Sequence, residues 1–291
     1  MADLRILRPG DAAALEAWLV PRLASSMILL SNSRSGGLSD RGERLQGTYA
    51  GAFEGSRLVG VVGHFWNQNA ILQTPEVYAA PLCELAVRTS GRALAGFLGP
   101  SQQVSAALSG LRITRAQLQL DSNEVLFSLA LDALRVPAPL RDGRVQVRVG
   151  QASDLDLLIA WRIAYNIEAL HARETPEMRE TSRAWQERAI EGAHVWVAEV
   201  AGEPVATSAF NAQIDEAVQI GGVYTPPAHR SRGYARAAVA QSLLDAKQRG
   251  VNSSILFTGE DNPAAQRAYR ELGYQPVGDY RIALLNEPLD C

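Results

Sequence analysis

The order of apolar and polar positions predicts alternating strands and helices in the second half of the chain. Period-two alternation predicts strands over 144–149, 194–201, 204–212, 216–225, 254–258 and 280–285. Helical periodicity predicts helices within 153–191, over 233–249 and over 263–272. Strands and helices mix without strict alternation, so we expect an α/β or mixed α+β class, with helices flanking one twisted mixed sheet.

The first half repeats the pattern that opens the second half. At one fixed offset, Leu4, Ile6, Asp11, Leu15, Ala17 and Trp18 recur as Val147, Val149, Asp154, Leu158, Ala160 and Trp161. Further along, 49–59 and 196–206 each predict a hairpin, with tight turns at Gly55 and Gly202. Two aligned blocks in the same order favour duplication over chance repetition.

A composition break separates the two halves. The segment 136–143 contains Pro137 and Pro139, which cannot donate ladder hydrogen bonds, and then Asp142-Gly143. It predicts a linker or wide turn between two domains, residues 1–136 and 144–291. A chain of 291 residues is long enough for both.

Bulk composition is that of an ordinary globular protein, with 47% hydrophobic and 20% charged residues and a net charge of −3. No long basic run suggests a nucleic-acid or membrane partner. We expect the apolar stretch from Trp18 to Leu30 to be too short and too polar to span a bilayer. We expect Cys83 and Cys291 to be free thiols and the protein to be cytoplasmic.

The stretch from Gly221 to Ala235 is the most informative part of the sequence. A β-rich run ends at two prolines, a short basic loop follows, and a helix begins at Gly233. Free N–H groups and the positive dipole end of such a helix bind phosphate, and Arg230 and Arg232 add charge. Taken alone, an ordinary strand–turn–helix connection with solvated arginines explains this loop equally well.

A second stretch, from Asn262 to Tyr274, predicts a compact helix. It has an Asn cap, Pro in the first turn and Gly at its end. Tyr269 shares one face of this helix with Ala265 and Leu272. The ordinary explanation for it is a core aromatic with a satisfied hydroxyl.

Together the two stretches resemble the GNAT superfamily of acetyl-CoA-dependent N-acetyltransferases. The matching positions are Arg230, Gly233 and Ala235 in the phosphate loop, and Asn262, Ala265, Tyr269, Gly273 and Tyr274 in the later helix. The resemblance covers 144–291 directly and the first half only through the repeat. The tandem layout also resembles mycothiol synthases, but two domains are too general a feature to carry over a substrate.

The resemblance implies a role for each matching residue. The backbone of Val223, Tyr224 and Thr225 would hold the acetyl carbonyl and pantetheine arm of acetyl-CoA. The N–H groups of the phosphate loop would wrap its pyrophosphate, and they belong to Arg230, Ser231, Arg232, Gly233, Tyr234 and Ala235. Asn262 and Ala265 would line the other side. Tyr269 would protonate the departing CoA thiolate.

The reaction that the resemblance implies is direct attack of a primary amine on the thioester. The amine must first lose a proton. Certain histone-modifying relatives carry Glu where this chain has Gln219, which cannot act as a base. Glu168 and His171 are possible substitutes, although each is more simply explained as a helix-surface residue. The four histidines show no metal-ligand spacing, so we expect no metal.

The first half lacks both signals. Ala79–Glu84 stands where a glycine loop would be needed, and Leu108 falls about where Tyr269 lies. The first domain is therefore expected to be degenerate, with a strand over 64–69 that carries polar groups. The whole chain is expected to acetylate a small-molecule or peptide amine. The alternative is a non-catalytic acyl-CoA-binding sensor or interaction protein on the same fold.

Overall fold

A computed structural model describes residues 2–290, which form two compact units. The first unit runs to Leu126 and also includes Gly259–Asp261 and the residues from Val277 onward. The second consists of Phe127–Thr258 and Asn262–Pro276. This division differs from the expected contiguous domains, 1–136 and 144–291. The difference arises because the C-terminal strand pairs within the first unit.

Both halves of the chain follow one order of elements: a strand, two helices, three strands, a helix, a strand, a helix and a strand. In the first half these are β1 (Asp3–Ile6), α1 (Ala12–Leu19), α2 (Leu23–Gly36), β2 (Gly47–Glu54), β3 (Arg57–Phe65), β4 (Asn69–Gln73), α3 (Glu76–Ser90), β5 (Leu94–Gly99), α4 (Ser101–Gly110) and β6 (Leu118–Ala130). A short helix, α5 (Ala138–Arg141), lies in the predicted linker. The second half continues with β7 (Gln146–Val149), α6 (Leu155–Leu170), α7 (Pro176–Glu191), β8 (Val195–Val200), β9 (Glu203–Gln213), β10 (Ala217–Tyr224), α8 (Tyr234–Gln248), β11 (Ser253–Gly259), α9 (Pro263–Leu272) and β12 (Gln275–Leu289). The expected mixed α/β class is confirmed.

The sheet of the first unit has the order β1-β2-β3-β4-β5-β12. Neighbouring strands run antiparallel except β4 and β5, which are parallel. In β12, Arg281 lies opposite Gly99 and Ile282 opposite Leu98. Helices α3 and α4 cover this sheet with buried Leu82, Val104 and other apolar side chains.

The sheet of the second unit places β11, β10, β9, β8 and β7 side by side. Side chains of β8 alternate between its two faces, as pleating requires. Val195 and Val197 pack against Leu158 and Ala189 of α6 and α7. Ala198 packs with Ala237 and Ala238 of α8. Helices therefore cover both faces.

An arginine–aspartate pair at the start of each half gives the repeat a structural counterpart. Arg5 makes two hydrogen bonds to Asp11, at 2.7 and 2.8 Å, and Asp11 also accepts from the Arg8 backbone N–H at 2.7 Å. In the second half Arg148 binds Asp154 at 2.6 and 2.9 Å, and Asp154 accepts from the N–H of Gln151 at 2.7 Å. The same residue types make the same contacts, as duplication predicts.

Two segments of the first half differ from expectation. The predicted strand over 64–69 is interrupted: His64 and Phe65 end β3, residues 66–68 form a turn in which Gln68 takes a φ of 63°, and Asn69 begins β4. The helical run Pro9–Gly36 is longer than the apolar stretch read from sequence, because Pro21 lies in a 3-10 turn that does not end it. By length and composition alone, this run is long and apolar enough to cross a membrane, a test that core helices also pass.

Of the two cysteines predicted to be free thiols, one lies among the described residues. Cys83 is a free cysteine buried in the core of the first unit, and burial raises the pKa of its thiol. Cys291 lies outside the described residues.

Candidate active site

The parallel strands β10 and β11 separate partway along their length. They are paired from Ala217 opposite Ser253 to Gln219 opposite Ile255, and no pairing continues beyond these residues. Strand β10 runs on to Tyr224. The backbone groups on this side of β10 are therefore open to an extended ligand that enters between the strands.

A bulge follows on the other side of β10. Gly221 lies opposite Ala209 and Tyr224 opposite Thr207, so β10 contains one more residue than β9 over this interval. Gly222 takes a φ of +59°, a conformation that favours glycine. A Cβ at Gly221 would lie 1.9 Å from the Asn211 side-chain nitrogen, so Gly221 leaves room for that amide. Bulges re-aim backbone groups, and this one lies beside Val223–Thr225, the predicted acetyl-binding segment.

The predicted phosphate loop connects β10 to α8. Within it, Ser231 and Gly233 take left-handed φ angles of 63° and 80°. Gly233 is also the N-cap of α8, where no side chain caps the helix and the first turn has no acidic residue. Tyr234 and Ala235 lie in that first turn. Free N–H groups at a helix start, with left-handed residues before it, form an anion-binding cradle, so this segment fits a pyrophosphate.

Two arginines in and near this loop pair with carboxylates. The Arg230 guanidinium donates to the Thr225 carbonyl at 2.9 Å and to the Glu168 carboxylate at 2.5 Å. Arg236 of α8 forms an ion pair with Glu271 of α9. Arg232 is exposed.

Glu168 does more than occupy a helix surface. It is about half exposed, at 45%, and also accepts a hydrogen bond from the Tyr224 hydroxyl at 3.1 Å. Burial and this hydrogen bond raise the pKa of Tyr224. His171, the other suggested base, is exposed at the C-terminal end of α6. Glu168 therefore connects helix α6 to the predicted phosphate loop.

Helix α9 begins and ends at the predicted residues. The Asn262 side chain accepts from the Ala265 backbone N–H at 3.1 Å, which caps the helix, and Gly273 ends it with a φ of 106°. In this structure Asn262 therefore has a local role, separate from the predicted contact with the cofactor.

Tyr269 lies among aromatic rings on the buried side of α9. Its ring centroid is 6.4 Å from Phe127 and 5.9 Å from Tyr274, and the Tyr274 contact is edge-on. The Tyr274 hydroxyl, in contrast, is fully buried and lies 2.6 Å from the Ser254 hydroxyl. Packing alone is compatible with both roles of Tyr269, so its role as the acid stays a prediction.

Gln219 stands on β10 at the last residue paired to β11. Its side chain is 2% exposed, and its carbonyl oxygen has no hydrogen-bond partner within residues 2–290. The buried hydroxyl oxygen of Thr225 is in the same condition there. Such atoms are uncommon in folded proteins, and both belong to the strand and loop that line the gap between β10 and β11.

Sequence reasoning missed Arg162 of α6. It interrupts the buried stripe formed by Leu158, Trp161 and Tyr165, and a charged residue at an apolar stripe position was the signal that could have found it.

Over residues 2–290, no group of three or more His, Cys, Asp or Glu side chains is placed to hold a metal ion.

Comparisons with known proteins show what this chain is similar to. Residues 164–274 match the model of the "Acetyltransferase (GNAT) family". A curated relative, the mycothiol acetyltransferase of Nocardia farcinica, is 29% identical over 185 residues, which cover 61% of this chain and 58% of that protein. The match therefore spans little more than half of the relative's length.

Solved structures share the fold at low sequence identity. A GCN5-related N-acetyltransferase from Sphaerobacter thermophilus has a TM-score of 0.58 at 14% identity, covering 100% of this chain and 96% of that chain. A tandem GNAT protein from the clavulanic acid biosynthesis pathway has a TM-score of 0.53 at 13% identity, covering 97% of both chains. At such identities the likeness concerns the fold alone.

Proposed function

We propose that this chain, a member of the acetyltransferase (GNAT) family, transfers the acetyl group of acetyl-CoA to a primary amine. The observation that carries the proposal is the opening between β10 and β11, next to a helix N-terminus preceded by two left-handed residues. The opening offers unpaired backbone to a pantetheine arm, and the helix start offers N–H groups to a pyrophosphate.

Each part of the second unit has a task in the proposed reaction. Backbone groups of Val223–Thr225, re-aimed by the bulge, orient the thioester. The amine nitrogen attacks the carbonyl carbon, a C–N bond forms, and the C–S bond breaks. Tyr269 donates a proton to the leaving thiolate. Binding both substrates in one site replaces a bimolecular encounter by a reaction between positioned groups.

The amine must lose its proton before it attacks. Gln219 has no basic group, and the Glu168 carboxylate is held by Arg230 and Tyr224. Both oxygens of that carboxylate already accept hydrogen bonds, Oε1 from Tyr224 and Oε2 from Arg230. The proposed route therefore carries the amine proton to solvent through water.

The test is release of free CoA thiol from acetyl-CoA in the presence of a panel of primary amines. We expect amine-dependent release by the full chain and one acetylated product by mass spectrometry. If acetyl-CoA binds but no amine raises thiol release above the rate without amine, the proposal fails. The non-catalytic acyl-CoA sensor is then the better description.

A further inference from the structure

A mostly enclosed arginine lies between helices α6 and α7 of the second unit. Arg162 projects from α6, and its guanidinium lies over the Trp185 ring of α7, 3.8 Å from the ring centroid. Burial lowers the pKa of Arg162 to about 10, and the nearby positive charge of Arg188 acts in the same direction. The group nevertheless remains a cation at neutral pH.

The charge of Arg162 is not balanced by a counter-ion in the described part of the chain. Among the described residues, no carboxylate lies within ion-pair distance of Arg162, in contrast to Arg148 and Arg230, which both pair with carboxylates. Removing a charge from water without a counter-ion is unfavourable. The ring of Trp185 compensates only part of that cost. An anion supplied by a ligand would compensate much more.

The guanidinium lines a small cavity. The other lining residues that matter are Trp161, Tyr165, Trp185, Gln186, Thr207 and Gly222, and the enclosed space is about 10 Å³. That is room for about one water-sized group. The side-chain carbonyl oxygen of Gln186 is buried without a hydrogen-bond partner in the described chain, so it can accept an N–H from a ligand.

This cavity reaches the bulge of β10. A guanidinium nitrogen of Arg162 lies 4.0 Å from the position that a Cβ on Gly222 would occupy. Gly222 precedes Val223, the first residue of the segment proposed to orient the thioester, and adjacent Cα atoms lie about 3.8 Å apart. A ligand group on Arg162 is therefore within a few bonds of the reacting carbonyl.

We infer that Arg162 binds the carboxylate of the acceptor, which makes the acceptor a small amino acid with its amine and carboxylate a few bonds apart. This inference rests on the proposed function. A planar guanidinium matches a carboxylate in a bidentate contact. A single cation suits a singly charged carboxylate better than a phosphate, which carries more charge and is larger. The water-sized space has room for one oxygen of that carboxylate.

The experiment compares matched pairs of amines that differ only in the anionic group. Glycine, L-alanine, L-serine and β-alanine are each paired with the corresponding carboxamide. Binding to the full chain saturated with CoA is followed by tryptophan fluorescence, because Trp161 and Trp185 line the cavity. Thiol release from acetyl-CoA is measured separately with the same compounds.

For at least one pair we expect the carboxylate to bind at least tenfold more tightly than the carboxamide, about 1.4 kcal/mol. Arg162→Met keeps an unbranched side-chain stem and removes the charged guanidinium, so the preference should fall below twofold. Arg162→Lys keeps the charge without the fork and should fall between the two. Arg188→Met, an exposed arginine nearby, is the matched control and should keep the full preference.

Two outcomes overturn the inference: no pair shows the preference, or the preference survives in Arg162→Met. Melting temperatures show whether each variant is folded. If Arg162→Met is not folded, the carboxylate preference of Arg162→Lys decides between the outcomes. Equal acetylation of both members of every pair would leave the proposed function standing and reject the carboxylate. A preference lost in Arg162→Met without any thiol release would leave the carboxylate site standing and reject the acetyl transfer.

Discussion

The two units reach the same point in their element order by different connections. In the first unit, β4 is followed by only Thr74 and Pro75 before α3 begins with the acidic Glu76 in its first turn. In the second unit, nine residues separate β10 from α8, whose first turn has no acidic residue. A phosphate cradle needs free N–H groups and no competing carboxylate. We therefore expect such a cradle in the second unit only, because of this one connection.

The strand before this connection and the last helix also differ between the two units, and both differences favour a cofactor site in the second unit. Strand β4 ends at Gln73, two residues after its last pair with β5, whereas β10 runs five residues past its last pair with β11 and carries the bulge. The predicted glycine-loop counterpart, Ala79–Glu84, lies inside α3. Helix α4 contains no tyrosine, whereas α9 contains Tyr269. These differences support the proposal that the first unit has lost its cofactor site.

The largest expected difference between the units is all-or-none binding of CoA. Isothermal titration calorimetry of the full chain with CoA should give one site per chain, because only the second unit has the loop from Thr225 to Gly233. Two sites of comparable affinity would contradict the comparison. Binding that survives disruption of that loop would place the cofactor elsewhere.

The next largest effect is expected from Tyr269→Phe. If its hydroxyl protonates the thiolate, turnover should fall by about 10²–10⁴-fold, with little change in acetyl-CoA affinity. The matched control is Tyr274→Phe, which removes the hydroxyl bonded to Ser254. That control should keep its turnover and lose about 1 kcal/mol of stability.

Turnover and melting temperature of the two variants together separate the roles. A purely structural Tyr269 predicts that both phenylalanine variants behave alike, with full turnover and lower melting temperatures. The proton donor would then be water or another residue.

A smaller loss is expected from Gly233→Val, which puts a branched side chain at a φ of +80° where the backbone is proposed to meet the pyrophosphate. CoA affinity should fall at least tenfold, about 1.4 kcal/mol. Gly91→Val is the control in the first unit, since Gly91 has a φ of +66° and open space around it. It carries similar backbone strain and should leave CoA affinity unchanged. Equal affinity losses in both variants would mean that global strain, and not the loop, sets binding.

Local signals explain what the sequence could predict. Helix α9 has the predicted limits because Asn262, Pro263 and Gly273 mark its ends through short-range geometry. The turn at 66–68 was missed because Trp66, Asn67 and Gln68 include neither Gly nor Pro. In all these cases the outcome depends on residues a few positions apart.

Long-range contacts explain what the sequence could not predict. Strand β12 is longer than the predicted 280–285 and pairs with β5, far away in sequence, so its partner depends on tertiary structure. The pairing of Glu168 with Arg230 joins residues 62 positions apart. Arg162 was visible as a charge in an apolar stripe, but that no carboxylate of residues 2–290 pairs with it emerges only from the fold.

The smallest expected difference lies between the two arginine–aspartate pairs. Asp154 is less exposed than Asp11, with side-chain exposures of 7% and 17%. Charge-assisted hydrogen bonds are stronger where water is excluded. Asp154→Asn should therefore cost about 2 kcal/mol and Asp11→Asn about 1 kcal/mol in urea unfolding at pH 7. Asp156→Asn, at a side chain that is 92% exposed, should change stability by less than about 0.5 kcal/mol.

The pH dependence tests the same pairs without a further substitution. Hydrogen bonds from Arg5, and then from the Arg8 N–H, lower the pKa of Asp11 to about 2, below the value of 3.8 usual for the free side chain. The folded state thus binds this proton more weakly than the unfolded state. The contribution of Asp11 is present above about pH 4 and is lost as the pH falls toward 2. The stability difference between wild type and Asp11→Asn should shrink over that range. Hydrogen exchange at residues 3–11 and 146–154 localises each effect, and a difference that stays constant down to pH 2 would show that the ionised carboxylate contributes nothing.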